Sequence, residues 1–362
     1  MKKILALMMV LLMTLSMMPL ASADMDSAGA KAAERAAQLS ADERVVNVFT
    51  WTYYIPDEVV AAFEEASGIR VNYSAMLYNE DIIPKLSAGG AQFDIIVCSD
   101  YIIPELASLE LIAPLDKAQM PAYENINPAY QGQYFDPDNT YAIPHANSVP
   151  ALVYDPDAVD FEVKGFADLW KEDFKNNIAV IGEWRGVIGM AQKKLGYSYN
   201  DEDPVHIEEV GRELMALKPN IAVMTDDNPH NALISGDAIA GFMYASQVVA
   251  AREAVPQLRV VYPEEGLGFG IDCFVMPADA PHEKAGYIFL DYLLDGQVSA
   301  MTSELIQYGN CNLKAPEFMS DAYMNNDVVN VPESAVRTAE MMRPLPGETV
   351  ELYDKIWKEF MQ

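Results

Sequence analysis

The stretch that decides the fold runs Val46-Asn47-Val48-Phe49-Thr50-Trp51-Thr52-Tyr53-Tyr54-Ile55-Pro56. Its first half is typical of a core strand, and the strand leads directly into a turn rich in aromatic rings. Aromatic rings at the junction between a strand and a helix contribute little to a hydrophobic core. We expect them at the carboxyl edge of a sheet, where open α/β folds bind their ligands. The alternative, in which the rings pack a helix onto the sheet, stays open from this stretch alone.

Strands and helices alternate after this point. The apolar periodicity predicts helices and strands along the whole chain. Strands are predicted at 45–51, 69–74, 93–99, 151–154, 177–182, 238–245, 258–262 and 271–276. Helices are predicted at 57–66, 81–87, 207–217, 283–294, 298–307 and 348–360, the last with an apolar stripe of Val350, Tyr353, Ile356, Trp357 and Phe360. Such alternation is typical of βαβ units and predicts an α/β fold with a parallel sheet.

The first residues have the pattern of a secretory signal. Lys2 and Lys3 precede an apolar run at 4–18, and Ala21-Ser22-Ala23 is a small-residue cleavage site. We therefore predict a signal peptide at 1–23, cleaved after Ala23, and a periplasmic protein. No later segment approaches the roughly 18 consecutive apolar residues of a membrane span. Residues 24–44 are Ala-rich and charged without an evident apolar face, so a linker or a frayed helix is expected there.

The composition restricts the classes of partner. Removing residues 1–23, which contain Lys2 and Lys3 and no acid, takes the net charge from −30 to −32. Such a charge repels nucleic acid and anionic membrane and attracts cations, although it also keeps a secreted protein soluble. The sequence has no recognisable cofactor or metal motif. The three cysteines (Cys98, Cys273 and Cys311) suit small buried hydrophobes, and if a disulfide forms, Cys273–Cys311 is the expected pair.

Polar or aromatic groups follow four of the predicted strands, and a carboxylate interrupts a fifth. They are Trp51, Thr52 and Tyr54; Ser99 and Tyr101; Glu183; Tyr244; and Asp272. A carboxylate in the apolar surroundings of Asp272 is costly to bury unless it is paired or meets a cation. A helix cap or an internal salt bridge is the alternative. Carboxylates beside aromatic rings suit an alkylammonium ion, which takes charge-assisted hydrogen bonds and attraction to π faces.

From about residue 45 to the C-terminus the chain resembles the periplasmic spermidine/putrescine-binding proteins of ABC importers. The resemblance covers nearly all of the expected mature chain, so it is more specific than any single motif. The matching stretches are 49–56, 135–144, 166–171, 194–198, 226–229, and Ile306-Gln307-Tyr308-Gly309 with Asn312.

The resemblance implies two α/β lobes that close on a ligand. It places lobe 1 at 45–149 plus 271–315 and lobe 2 at 150–270 plus 316–362. Its ligand-binding positions fall on Trp51, Thr52, Tyr54, Ser99, Tyr101, Glu183, Tyr244, Asp272, Tyr308 and Arg343. Two family positions are altered: Gly270 stands where a ring is common, and Gly186 where a second carboxylate is. Arg343 stands where an amide is expected, and it is either a surface arginine of a loop or a fixed cation in the pocket. In the pocket it would pair with Glu183 or Asp272 or bind a ligand carboxylate, and a short diamine or an amine bearing a carboxylate is then predicted to bind better than spermidine.

The resulting hypothesis is an extracytoplasmic solute-binding protein that delivers a polyamine to a membrane permease. We expect a monomer that needs no cofactor and binds no nucleic acid. One rival keeps the architecture but binds another small solute, such as a zwitterionic amine whose carboxylate meets Arg343. The second rival is a secreted hydrolase, which would need a nucleophile and base that the sequence does not place together.

Overall fold

The computed structural model describes residues 22–362, except residues 53, 90, 91 and 149. Two mixed β-sheets, each flanked by helices, form two lobes, which confirms the α/β two-lobed fold class. The predicted signal peptide lies outside the described residues, apart from positions 22 and 23. None of the helices in the described ranges is long and apolar enough to cross a membrane. The residue boundaries of the two lobes stay a prediction.

The first lobe is built on a seven-stranded sheet with the order β11-β4-β10-β3-β1-β2, and β12 pairs with the beginning of β10. These strands are β1 (Val45–Thr50), β2 (Arg70–Ala75), β3 (Ile95–Ser99), β4 (Ile143–Ser148), β10 (Gly268–Val275), β11 (Gly309–Asn310) and β12 (Glu340–Met341). The second lobe has a five-stranded sheet with the order β7-β6-β8-β5-β9. Its strands are β5 (Ala151–Tyr154), β6 (Ile178–Val180), β7 (Ile221–Met224), β8 (Ala240–Met243) and β9 (Arg259–Val261).

Thirteen helices cover the two sheets within the described part of the chain. They are α1 (Ser22–Ala36), α2 (Asp57–Ser67), α3 (Ile82–Ser87), α4 (Ile103–Ser108), α5 (Trp184–Lys194), α6 (Pro204–Leu217), α7 (His230–Ser235), α8 (Ala245–Ala254), α9 (Glu283–Leu293), α10 (Gly296–Ile306), α11 (Asp321–Met324), α12 (Glu333–Val336) and α13 (Gly347–Met361). On α13, Tyr353, Ile356 and Phe360 are buried in the hydrophobic core of the second lobe, whereas Val350 is 39% exposed. The predicted docking stripe is therefore correct except at its first residue.

The predicted parallel pairing is found in only part of each sheet. Strands β1, β2 and β3 are parallel, but β10 runs antiparallel to both β3 and β4. The physical reason is the path of the chain. It leaves the first sheet after β4, builds the second sheet, and returns as β10, which enters between β3 and β4 from the opposite direction. This insertion places Asp272 of β10 directly opposite Ser99 of β3.

Of the two alternatives expected at residues 24–44, a linker or a frayed helix, the structure has a helix over the first part, but a packed one and not a frayed one. Residues 22–36 form α1, and Ala28, Ala32 and Ala36 are buried against α2 and α9. Alanine at every fourth position makes a narrow stripe that needs no bulky side chain, because the helices approach closely. A Cβ added at Gly29 would lie only 2.9 Å from the Cβ of Ala66. An ion pair of 3.2 Å between Arg35 and Asp291 of α9 also holds α1.

Candidate functional site

Asp272 lies at the carboxyl edge of the first sheet and is 8% exposed. The Ser99 hydroxyl donates a 2.8 Å hydrogen bond to Oδ1, and the Tyr54 hydroxyl donates one to Oδ2. Burial raises the pKa of the Asp272 carboxyl, while the two hydroxyl donors oppose that shift. No described lysine, arginine or histidine forms an ion pair with it, so the internal salt bridge considered as an alternative is not found among those residues. The carboxylate is held by neutral donors only.

Aromatic rings cluster around Tyr54, which holds this carboxylate. The ring centroid of Tyr54 lies 5.2 Å from that of Trp51 and 5.9 Å from that of Tyr308. Tyr308 follows Gln307, whose left-handed backbone (φ 56°) ends α10, and its ring packs against the cores of both lobes. The turn after β1 and the end of α10 thus bring together three of the predicted rings. Thr52 is exposed.

Asn79 connects several of the predicted positions and was missed by the sequence reasoning. Its side-chain amide donates hydrogen bonds of 3.2 Å to the Ser99 hydroxyl and 3.1 Å to the Tyr101 hydroxyl. Its side-chain carbonyl accepts one of 3.0 Å from the Ser99 backbone N–H. The Tyr101 hydroxyl donates in turn to Glu80, at 3.2 Å. Ser99 ends β3, whereas Asn79 lies four residues beyond the end of β2, so only a search that included the segment after each strand could have found it.

The second lobe contributes Glu183 and Tyr244, which follow β6 and β8. Glu183 caps α5: its two carboxylate oxygens accept hydrogen bonds of 2.7 Å from the backbone N–H groups of Arg185 and Gly186. Burial raises the pKa of Glu183, and these two N–H groups oppose the shift. Burial also raises the pKa of the Tyr244 hydroxyl well above its ordinary value, and the charges of Glu183 and Asp272 act in the same direction. The charges that act on the Tyr244 hydroxyl thus come from carboxylates of both lobes.

A buried cation stands beside Glu183, but it is Arg185 and not Arg343. The Arg185 side chain donates to the backbone carbonyl of Arg343 at 3.1 Å and to Oδ1 of Asn200 at 3.2 Å, and the residue is 4% exposed. Its guanidinium carbon lies 6.0 Å from the ring centroid of Tyr101, on the other lobe. The sequence signal was present, since Arg185 directly follows the strand-end pair Glu183-Trp184.

Arg343 does not reach the carboxylates that it was predicted to meet. The residue is exposed, and its guanidinium lies over the ring of Tyr134, 5.5 Å from the centroid. The described ion pairs and side-chain hydrogen bonds join it to neither Glu183 nor Asp272. The reason is local: the backbone N–H of Arg343 donates to Asn200 and its carbonyl accepts from Arg185, so its backbone faces the interior. The expected preference for short amines loses this support.

The three cysteines are buried free thiols, as their interpretation as small hydrophobes predicted. The predicted Cys273–Cys311 bridge, offered in case a disulfide exists, does not form. Cys273 instead faces Cys98 across strands β10 and β3. Burial raises the pKa of all three thiols well above the ordinary value, which makes them poor nucleophiles. Among the described residues no group of three or more His, Cys, Asp or Glu side chains could hold a metal ion.

Comparisons with known proteins agree with this geometry. Residues 58–329 match the model of the bacterial extracellular solute-binding protein family. The spermidine/putrescine-binding periplasmic protein of Salmonella typhimurium is 30% identical over 336 residues, which are 92% of this chain and 96% of the relative. The Escherichia coli protein of the same description is 31% identical over the same shares. Both descriptions are those of binding proteins located in the periplasm.

Solved structures show the same architecture. A spermidine/putrescine ABC transporter substrate-binding protein from Streptococcus pneumoniae superposes with a TM-score of 0.77 and 27% identity, over 88% of this chain and 98% of that one. A putative spermidine/putrescine ABC transporter protein from Listeria monocytogenes gives a TM-score of 0.83 at 24% identity, over 88% and 99% of the two chains. The chain therefore belongs to the family of bacterial extracellular solute-binding proteins.

Proposed function

We propose that this chain captures a polyamine such as putrescine or spermidine in the cleft between its lobes and delivers it to the permease of an ABC importer. The observation that carries the proposal is Asp272. It is a buried carboxylate without a cationic partner among the described residues, held by Tyr54 and Ser99 and faced by aromatic rings. An alkylammonium supplies the missing charge, and the rings cover its methylenes. The names of the relatives support the same ligand class.

The proposal extends to the setting of the protein. We place it in the periplasm as a monomer, released by cleavage after Ala23, where it acts as a carrier and not as an enzyme. The proposed ligand-binding set is Trp51, Thr52, Tyr54, Ser99, Tyr101, Glu183, Tyr244, Asp272 and Tyr308. Arg343 is left out of this set because its guanidinium lies over Tyr134 and not beside the carboxylates.

A second candidate is a zwitterionic amine, and one observation favours it. The Nε atom of Arg185 is buried and has no hydrogen-bond partner among the described residues, and its guanidinium faces Tyr101 on the opposite lobe. A ligand carboxylate could accept from this nitrogen while the ligand amine meets Asp272. Against this, Arg185 already neutralises part of the charge of Glu183, which leaves less attraction for an anion.

Isothermal titration calorimetry with a small panel separates these candidates. The panel contains putrescine, spermidine and γ-aminobutyrate, with glucose as an uncharged reference. We expect heat of binding with putrescine and spermidine only. Binding of γ-aminobutyrate in preference to putrescine would favour the zwitterionic ligand, and binding of none of the amines would refute the proposed function.

The affinity for putrescine is expected to fall as the pH is lowered from 7.5 to 5. Burial raises the pKa of both Asp272 and Glu183, so protons begin to compete for these carboxylates at a higher pH than for exposed acids. The ligand amines, like a lysine amine, stay protonated throughout this range. Each carboxylate that must lose a proton weakens binding by up to about tenfold per pH unit below its pKa. Calorimetry at several pH values checks this, and a flat profile would contradict it.

A further inference from the structure

A continuous string of hydrogen bonds runs from Asp272 to Glu80. The Ser99 hydroxyl donates to Asp272 at 2.8 Å, and the Asn79 amide donates to that hydroxyl at 3.2 Å. The same amide donates to the Tyr101 hydroxyl at 3.1 Å, which donates to Glu80 at 3.2 Å. Three side chains, Ser99, Asn79 and Tyr101, link the two carboxylates.

The direction of these bonds is set by Asn79. Its amide group has two N–H donors, and each goes to one of the two hydroxyls, while its carbonyl accepts from the backbone of Ser99. Each hydroxyl therefore accepts from Asn79 and turns its own proton toward a carboxylate. The network stabilises negative charge at both ends, at Asp272 in the buried interior and at Glu80 on the exposed rim.

The Glu80 end of the string faces the second lobe. Tyr101, whose hydroxyl donates to Glu80, has its ring 6.0 Å from the guanidinium carbon of Arg185 in the second lobe. Burial raises the pKa of the Tyr101 hydroxyl well above its ordinary value, and the charges of Glu80 and Glu183 raise it further. The charge of Glu80 likewise contributes to the raised pKa of Glu183, after the larger effect of burial. Two like charges on opposite lobes repel each other unless a cation lies between them. The positive charge of Arg185 offsets only part of this repulsion.

We infer that Glu80 receives the second ammonium group of the ligand, together with Glu183, while Asp272 receives the first. This inference rests on the proposed function and deepens it, because it names the ligand as an amine with at least two charged nitrogens. Glu80 would then take the place of the second carboxylate that the family has at the position of Gly186. A diammonium ligand bound in this way draws Glu80 and Glu183 together from the two lobes, so binding and closure of the cleft are coupled.

The test compares putrescine with butylamine, which has the same carbon chain but a single ammonium group. Glu80→Gln removes the charge and keeps an oxygen that can accept from Tyr101. Glu105→Gln on α4 is the matched control, because Glu105 is also an exposed glutamate of the first lobe and its side chain takes part in none of the described hydrogen bonds. Calorimetry measures the affinity for putrescine directly. The affinity for butylamine is measured by competition, as butylamine displaces bound putrescine.

We expect Glu80→Gln to weaken putrescine binding by about three- to tenfold, as an exposed but hydrogen-bonded charge contact allows. Butylamine binding should change by less than about twofold, because its one ammonium group occupies Asp272. Equal affinities in Glu80→Gln and Glu105→Gln would overturn the inference and leave the proposed function intact. Equal losses of affinity for putrescine and butylamine would also overturn it, since Glu80 would then attract any cation over a distance and would not contact the second ammonium group. Failure of the wild type to bind putrescine would overturn both.

Discussion

Replacement of Asp272 by asparagine is expected to weaken putrescine binding by at least about tenfold. The change keeps the shape of the side chain and its acceptor oxygen but removes the charge. A hydrogen bond to a charged group contributes about 1.5–3 kcal/mol, and 1.4 kcal/mol corresponds to one decade of affinity. Calorimetry at pH 7.5 measures the loss. Asp42→Asn serves as the control, because Asp42 is exposed and its side chain has none of the described hydrogen bonds.

The same substitution should not destabilise the unliganded protein at neutral pH. Burial raises the pKa of Asp272 in the folded state, so the native protein holds this proton more tightly than the unfolded chain does. The free energy of unfolding therefore falls as the pH rises through that pKa, and a neutral amide avoids the loss. A folded Asp272→Asn protein with unchanged affinity would show that the amine binds elsewhere.

The fold could be predicted from the sequence because its signals are local. Apolar runs such as 93–99 and 151–154 predict strands, and the residues that follow them share an edge of a sheet. The antiparallel insertion of β10 could not be predicted in this way, because the pairing of Asp272 with Ser99 joins segments 173 residues apart. The burial of α1 was missed for a different reason: Ala28, Ala32 and Ala36 carry little apolar area, and only the close approach of Ala66 makes them core residues.

The candidate site was predictable only in part. Strand ends pointed to Tyr54 and Ser99, and a carboxylate within an apolar strand pointed to Asp272; the structure brings these residues into contact. Asn79 and Glu80 were passed over because they lie in a short 3₁₀ turn four and five residues beyond the end of β2, and not directly at the strand end. The expected cation was placed at Arg343, whereas the structure buries Arg185. Either arginine could have met Glu183, and the choice depends on how Asn200 holds the backbone of the 341–343 segment.

Two buried carboxylates lie near opposite ends of β3, and their hydrogen-bond donors differ. Asp94 precedes β3 and is fully buried; it accepts hydrogen bonds of 2.7 Å and 2.6 Å from the backbone N–H groups of Asn47 and His282. Asp272 lies opposite the last residue of β3 and accepts only from side-chain hydroxyls. Backbone donors belong to the fold itself, so Asp94 ties β1 and β3 to the start of α9. Asp272 has no such partner in the described hydrogen bonds, and its charge is available to a ligand.

Replacement of Asp94 by alanine is therefore expected to lower the free energy of unfolding by about 3–5 kcal/mol, because it removes a buried acceptor of two backbone N–H groups and the partner of His282. Urea denaturation followed by circular dichroism measures the loss. The folded fraction of the Asp94→Ala protein should bind putrescine with wild-type affinity, whereas Asp272→Asn should show the opposite pattern. A loss below about 1 kcal/mol for Asp94→Ala would mean that water replaces the carboxylate as acceptor. A change in affinity without a change in stability would assign Asp94 to ligand binding.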